Sequence, residues 1–102
     1  MTPIEFSEAI KHPGIYLVDV RPASYFKNGH IAGAHNLDVT SPDFKENAVA
    51  TLPKDETIAV YCQTGMHSAI AEKELKELGY KVINLDQGIN SWIAAGLPTT
   101  LV

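Results

Sequence analysis

Three short runs of the chain are dominated by β-branched and apolar residues: IYLVDV (15–20), TIAVYC (57–62) and KVINL (81–85). Each reads as a buried strand. GAHNL (33–37) reads as a further short strand. The stretches between them carry helical patterning. Thr2, Pro3 and Glu5 match a capping box with proline at the first helical position. Ile4, Phe6, Ala9 and Ile10 would form that helix's apolar face, and His12-Pro13-Gly14 would end it. PASYFKNG (22–29) reads as a short helix closed by Gly29. SPDFKENAVATL (41–52) reads as a helix started by Ser41-Pro42. From Ser68 to Leu78 the spacing predicts a helix with Ala71, Leu75 and Leu78 inward. Glu72 and Lys76 form an i,i+4 pair on its exposed side, and Gly79 is its stop. A last helix covers 89–96, before Leu97-Pro98. Strands alternating with helices predict an α/β domain whose mainly parallel sheet is covered on both faces. Ligands of such sheets sit beyond the carboxyl ends of the strands, and Cys62 falls at one.

The chain has 102 residues, 45% of them hydrophobic, enough for one domain with a core and no covalent staples. Its single cysteine cannot close an internal disulfide, which fits a reducing compartment. MTPIEFSEAIKHPG lacks a basic region followed by a long apolar run, so no signal peptide or membrane span is expected, and the cytoplasm is the expected compartment. The net charge is −4, with Arg21 the sole arginine among eight basic residues. A basic stripe for nucleic acid is missing, so neither nucleic acid nor membrane is an expected partner.

Chemistry concentrates in YCQTGMHS (61–68). Gln63, Thr64, Gly65, Met66 and His67 must turn a strand into a helix. A loop this short can curl around the sulfur with its N–H groups inward. The following helix adds about half a positive charge at its N-terminus. Gly65 permits backbone angles that other residues resist. Such a setting lowers a cysteine pKa from about 8.5 to as little as about 3.5–7.5 and yields a nucleophile in an anion cradle. The competing reading is an inert, buried core cysteine.

VYCQTGMHS resembles the active-site loop of the rhodanese family of sulfurtransferases. LVDVRPASYFKNGHIAGAHNL (17–37) resembles that family's aspartate–x–arginine to glycine–histidine–isoleucine signature. INLDQGINSWIAAGLP (83–98) resembles its glycine–x–x–x–tryptophan segment. The three stand in the family's order over most of the chain. The resemblance implies a single domain over 1–102, a three-layer α/β fold with a central, mainly parallel five-stranded sheet flanked by helices. It also implies that Cys62 takes a sulfane sulfur from a donor such as thiosulfate or a persulfide, holds it as a persulfide, and passes it to cyanide or a thiol. The N–H groups of Gln63, Thr64, Gly65, Met66, His67 and Ser68 would hold the outer sulfur. No metal or organic cofactor is implied. Alternatives are a non-enzymatic sulfur carrier loaded by a donor protein, a protein-binding module, and a phosphatase or arsenate reductase. The last class uses an arginine six positions after its cysteine, where this chain has Ser68. Many thiosulfate-using members carry arginines where this chain has Gln63 and His67, so the donor stays open. Gln87 stands where glycine is common.

Other polar residues have two readings each. His67 is an anion-steering or proton-shuttling group, or an exposed loop histidine. Asp19 and Arg21 are site-lining, or a structural ion pair; the second reading is favoured for Arg21. His30 and His35 raise a metal reading, but His30 lies in the family's structural signature and an architectural role is expected. Trp92 is expected in the core with one partner for its N–H. Met66 is an apolar rim for a thiol or protein partner, or filler.

Overall fold

The computed structural model describes residues 1–102. The elements, in chain order, are α1 (Pro3–Ala9), β1 (Ile15–Asp19), α2 (Ala23–Lys27), β2 (His35–Asn36), α3 (Phe44–Thr51), β3 (Thr57–Tyr61), α4 (Met66–Glu77), β4 (Val82–Asn84) and α5 (Gly88–Ala94). The strands form one sheet in the order β2-β1-β3-β4, and every pairing is parallel. The central β1–β3 pair runs in register from Ile15 with Thr57 to Asp19 with Tyr61. All four carboxyl ends therefore open on one edge of the sheet, where Asp19, Tyr61 and Cys62 gather.

The period-2 pleat divides the core in two. Val18, Val20, Ile58, Val60 and Cys62 face one side and pack with Phe44 and Ala48 of α3 and Ala71 and Leu75 of α4. Leu17, Ala59 and Tyr61 face the other and pack with Phe6 of α1 and Ile89 and Trp92 of α5. Helices on both faces explain why the strands are apolar throughout rather than alternating.

The capping box at Thr2 and Glu5 is formed in both directions, at 2.9 and 3.2 Å. The Glu72–Lys76 pair closes at 2.7 Å. Trp92 is buried, and its indole N–H donates to Pro98 O at 2.8 Å. Elsewhere the chain departs from the expectation. The sheet has four strands, not five. A fifth is reduced to one antiparallel bridge, His30 with Thr100. Gly29 at φ +135° bends the chain on one side of it, and an Ala34-to-Ile31 turn bends it on the other. Extended pairing cannot grow between two such bends. β2 is likewise confined to His35–Asn36. Ser41-Pro42 does not start α3: the Ser41 hydroxyl accepts from Asp43 N at 3.2 Å in a turn, and the helix begins at Phe44. Conversely, α4 begins at Met66, earlier than Ser68.

Tyr61 is completely buried, and its hydroxyl accepts from Ile31 N at 3.1 Å. Tyr61→Phe strands that buried N–H, so unfolding free energy should fall by about 1–3 kcal/mol. Urea denaturation would show this as a lower midpoint at unchanged slope.

Candidate functional site

Cys62 follows directly on β3 and is 2% exposed. Its side chain belongs to the α3/α4 side of the core, yet Sγ accepts a hydrogen bond from Gly65 N at 3.0 Å. Residues 63–65 then turn into α4, whose cap, Gly65, has φ +106°. No backbone carbonyl takes the N–H of Gln63, Thr64, Met66, His67 or Ser68. Five donors are thus left without a carbonyl partner in the loop that follows the sulfur, and those of Thr64 and Ser68 act on Sγ together with Gly65 N, the condition for an anion cradle.

The cradle is shaped by α5. Ile89 N donates to Cys62 O at 2.8 Å, and Asn90 N donates to Gln63 O at 3.1 Å. In a trans peptide the C=O and the following N–H point oppositely. Pinning these two carbonyls to the start of α5 therefore turns the N–H groups of Gln63 and Thr64 the other way, towards the inside of the loop. Contact here is backbone on backbone. A Cβ on Gly88 (φ +71°) would lie 2.3 Å from Gln63 O, and one on Gly65 would lie 1.9 Å from Asp86 O. Only glycine fits either position. Gln87, by contrast, has φ −103°, so a side chain there costs no backbone strain.

Two influences oppose each other at the thiol. Burial pushes its pKa up. The Ser68 hydroxyl and the N–H groups of Ser68, Gly65 and Thr64 push it down, and together they prevail, leaving it below the ordinary value. Ser68 Oγ is buried, within reach of Sγ and 3.2 Å from Gly65 O. Its single proton can serve only one acceptor at a time. The carbonyl takes it while sulfur is neutral, and a thiolate competes for it.

Beside the loop lies the Asp19–Arg21 pair. Both residues are buried, and Arg21 Nη2 meets Asp19 Oδ2 at 2.7 Å. Arg21 Nε donates to both Asp19 oxygens at 3.0 and 3.1 Å, and Nη2 also donates to Gly29 O at 2.7 Å. Burial pulls the guanidinium pKa down, but Asp19 more than restores it. The pair is net neutral and rigid. Arg21 Nη1 reaches Gln63 Oε1 at 2.9 Å, so this structural pair also touches the loop. A cleft of about 240 Å³ opens here, lined by Arg21, Pro22, Tyr25, Gln63 and His67.

Cys62, Gln63, Thr64, Gly65, Met66, His67 and Ser68 thus make one cradle with Asp19 and Arg21 at its flank. His67 and Met66 are exposed at its rim, Met66 by 73%. His30 and His35 are engaged elsewhere: His30 is buried and stacked on Phe26 with Nδ1 2.8 Å from Phe26 O, and His35 stacks on Tyr16. No cluster of three or more histidine, cysteine or acidic side chains is arranged as a metal site. No helix is long and apolar enough to cross a membrane. Gly88 and Asn90 were not legible as loop partners from sequence, since they lie more than twenty residues beyond it. Gly88 carried a partial signal as the glycine of the glycine–x–x–x–tryptophan segment; Asn90 carried none.

Gly88→Ala should force the Gln63 carbonyl away and release the loop amides. Ultraviolet titration of the thiolate should then show a higher Cys62 midpoint than in the unaltered protein. An unchanged midpoint in a folded variant would mean that α5 does not shape the cradle.

The profile of the rhodanese-like domain family matches residues 2–95. The thiosulfate sulfurtransferase GlpE of Stutzerimonas stutzeri is 36% identical over 92 residues, spanning 88% of this chain and 81% of that one. An HTH-type transcriptional regulator of Mycobacterium tuberculosis is 34% identical over 87 residues, but these span only 37% of its length. Among solved structures, a rhodanese-related protein from Thermoplasma volcanium superposes with a TM-score of 0.88 at 30% identity, covering 100% of this chain and 97% of that one. By sequence, by fold and by the order of its motifs, this chain belongs to the rhodanese-like domain family.

Proposed function

We propose that the protein is a sulfurtransferase that carries a sulfane sulfur on Cys62, taken from thiosulfate or a persulfide and delivered to a thiol or cyanide. The single observation that carries this reading is the sulfur of Cys62 held by loop amides, Gly65 N at 3.0 Å with those of Thr64 and Ser68 beside it. Relatives named thiosulfate sulfurtransferase in Stutzerimonas stutzeri, Shewanella oneidensis and Escherichia coli support it. The thiolate attacks the outer sulfur of the donor, the donor's bond to that sulfur breaks, and its electron pair leaves with the departing group. Cys62 then holds the sulfur as a persulfide anion within reach of the amides of Gln63 to Ser68. In the second half-reaction the acceptor attacks that outer sulfur and restores the thiolate. Two half-reactions through one covalent intermediate give ping-pong kinetics. The cradle needs no cofactor for this chemistry.

The loop disfavours a phosphatase or arsenate reductase. Where those enzymes place a bidentate arginine, Ser68 is buried and offers one hydroxyl. A carrier loaded by a donor protein uses the same Cys62 chemistry; the exposed Met66 rim supports that reading of the acceptor or donor side.

Incubation with thiosulfate or an alkyl persulfide should add one sulfur atom to Cys62 by intact mass, and cyanide should remove it. Cys62→Ser should gain nothing. A folded protein that stays unloaded by every sulfane donor refutes the proposal.

Ionisation of the thiol should set the pH profile. Because its folded pKa is lowered, alkylation by iodoacetamide should rise through a midpoint below that of an ordinary cysteine thiol. Ser68→Ala removes the largest downward influence and leaves burial in place, so its midpoint should move up. Stability follows the same sign: the thiolate's contribution is complete above the unfolded pKa and is lost as pH falls through the folded one.

A further inference from the structure

Gln63 is held at both ends. Arg21 Nη1 donates to its Oε1 at 2.9 Å, and its Nε2 donates to Asn90 Oδ1 at 2.5 Å. The orientation is forced, because a guanidinium can only donate. Gln63 must turn its oxygen to Arg21 and its nitrogen to Asn90, and Asn90 must present its oxygen. The Gln63 carbonyl is fixed as well, by Asn90 N at 3.1 Å. Arg21 is 6% exposed and anchored by Asp19 and Gly29, so one end of this chain of bonds is rigid.

The amide lies where two clefts meet. One is the cleft that His67 lines. The other, about 260 Å³, runs past Asn28, Ile93 and Thr99, and both share Arg21, Tyr25 and Gln63. Gln63 thus covers Arg21 Nη1 with an uncharged group, and the Arg21 charge is already matched by Asp19. Gln63 Oε1 is the one protein acceptor that Nη1 has.

We propose that the Arg21–Gln63–Asn90 chain is a specificity bar. It holds a neutral amide over Arg21 at the flank of the cradle and biases the site towards donors of low charge, alkyl persulfides, against the thiosulfate dianion. The inference rests on the sulfurtransferase reading above. For the favoured donor, Cys62–S⁻ and R–S–SH give Cys62–S–S⁻ and R–SH: the new S–S bond forms as the old one breaks, and R–S⁻ keeps the electron pair and takes the proton. Gln63 and Asn90 are positioning residues at this flank; neither meets the reacting sulfur in this scheme.

The test compares Cys62 loading by thiosulfate and by a small uncharged-chain alkyl persulfide across a salt series. The unaltered protein should prefer the persulfide. Gln63→Ala uncovers Nη1, so the thiosulfate-to-persulfide ratio of kcat/KM should rise about ten-fold, the low end for a hydrogen bond from a charged donor. That gain should shrink as salt increases. Gln63→Glu can keep both bonds if Asn90 turns its nitrogen inward, but it adds a negative charge, so its ratio should fall below that of the unaltered protein. Asn90→Ala alters an exposed residue, frees one end of the bar and should move the ratio in the same direction as Gln63→Ala. It serves if Gln63→Ala does not fold. An unchanged ratio in the folded variants overturns the bar while loading of the unaltered protein keeps the wider reading. Failure of the unaltered protein to load from either donor overturns both.

Discussion

The site depends on two hydrogen bonds that do not touch the sulfur: Ile89 N to Cys62 O and Asn90 N to Gln63 O. They convert the start of α5 into a template for a loop more than twenty residues earlier. Without them, a turn of small polar residues could point its carbonyls inward as readily as its amides, and inward carbonyls would repel a thiolate. With them, planarity of the peptide decides the direction of the N–H groups. The two glycines follow from the same contact. Gly88 and Gly65 lie where the loop presses on the backbone at residues 86–88, and both have positive φ. The geometry of the cradle is thus a packing result before it is an electrostatic one.

Cys62 combines the two readings that its sequence allowed. It lies in the core among Val60, Ala71 and Leu75, as an inert cysteine would. On its other side stand Gly65 N and the first turn of α4. Burial alone would raise its pKa; the amides and the Ser68 hydroxyl lower it further than burial lifts it. Cys62 itself is 2% exposed, so the hydrogen bonds its sulfur accepts act in a poorer dielectric than solvent. Reactivity and burial therefore coexist because the hydrogen bonds outweigh the desolvation.

The strands were legible because their signal, an unbroken apolar run rich in β-branched residues, is written into consecutive positions; the pleat then sends Ile58, Val60 and Cys62 to one face and Ala59 and Tyr61 to the other. The start of α1 was legible for the same reason, since Thr2 and Glu5 are three apart. The number of strands was not. Whether a fifth strand pairs beyond the His30–Thr100 bridge depends on bends at Gly29 and at 31–34 that local propensity does not fix. In the site, Cys62 and Gly65 announced themselves by type and spacing. The contact between Arg21 and Gln63 spans 42 positions and that between Gln63 and Asn90 spans 27, and nothing in the pattern joins them. Side chains that act by position alone stay silent until the fold brings them together.

Ser68 shows how the same cradle can serve two charge states. Its one proton has two claimants, Gly65 O at 3.2 Å and the sulfur of Cys62. While Cys62 is a bare thiolate, the charge sits deep in the loop and draws the hydroxyl. Under the proposed transfer, loading moves the charge outward by one S–S bond, about 2 Å. The hydroxyl then loses its charged acceptor, and Gly65 O at 3.2 Å is the acceptor that remains to it. A guanidinium at position 68 would hold a fixed charge under the loop in both states and favour a large anion permanently. A hydroxyl that turns follows the charge instead, which suits a group that must accept one atom and then release it.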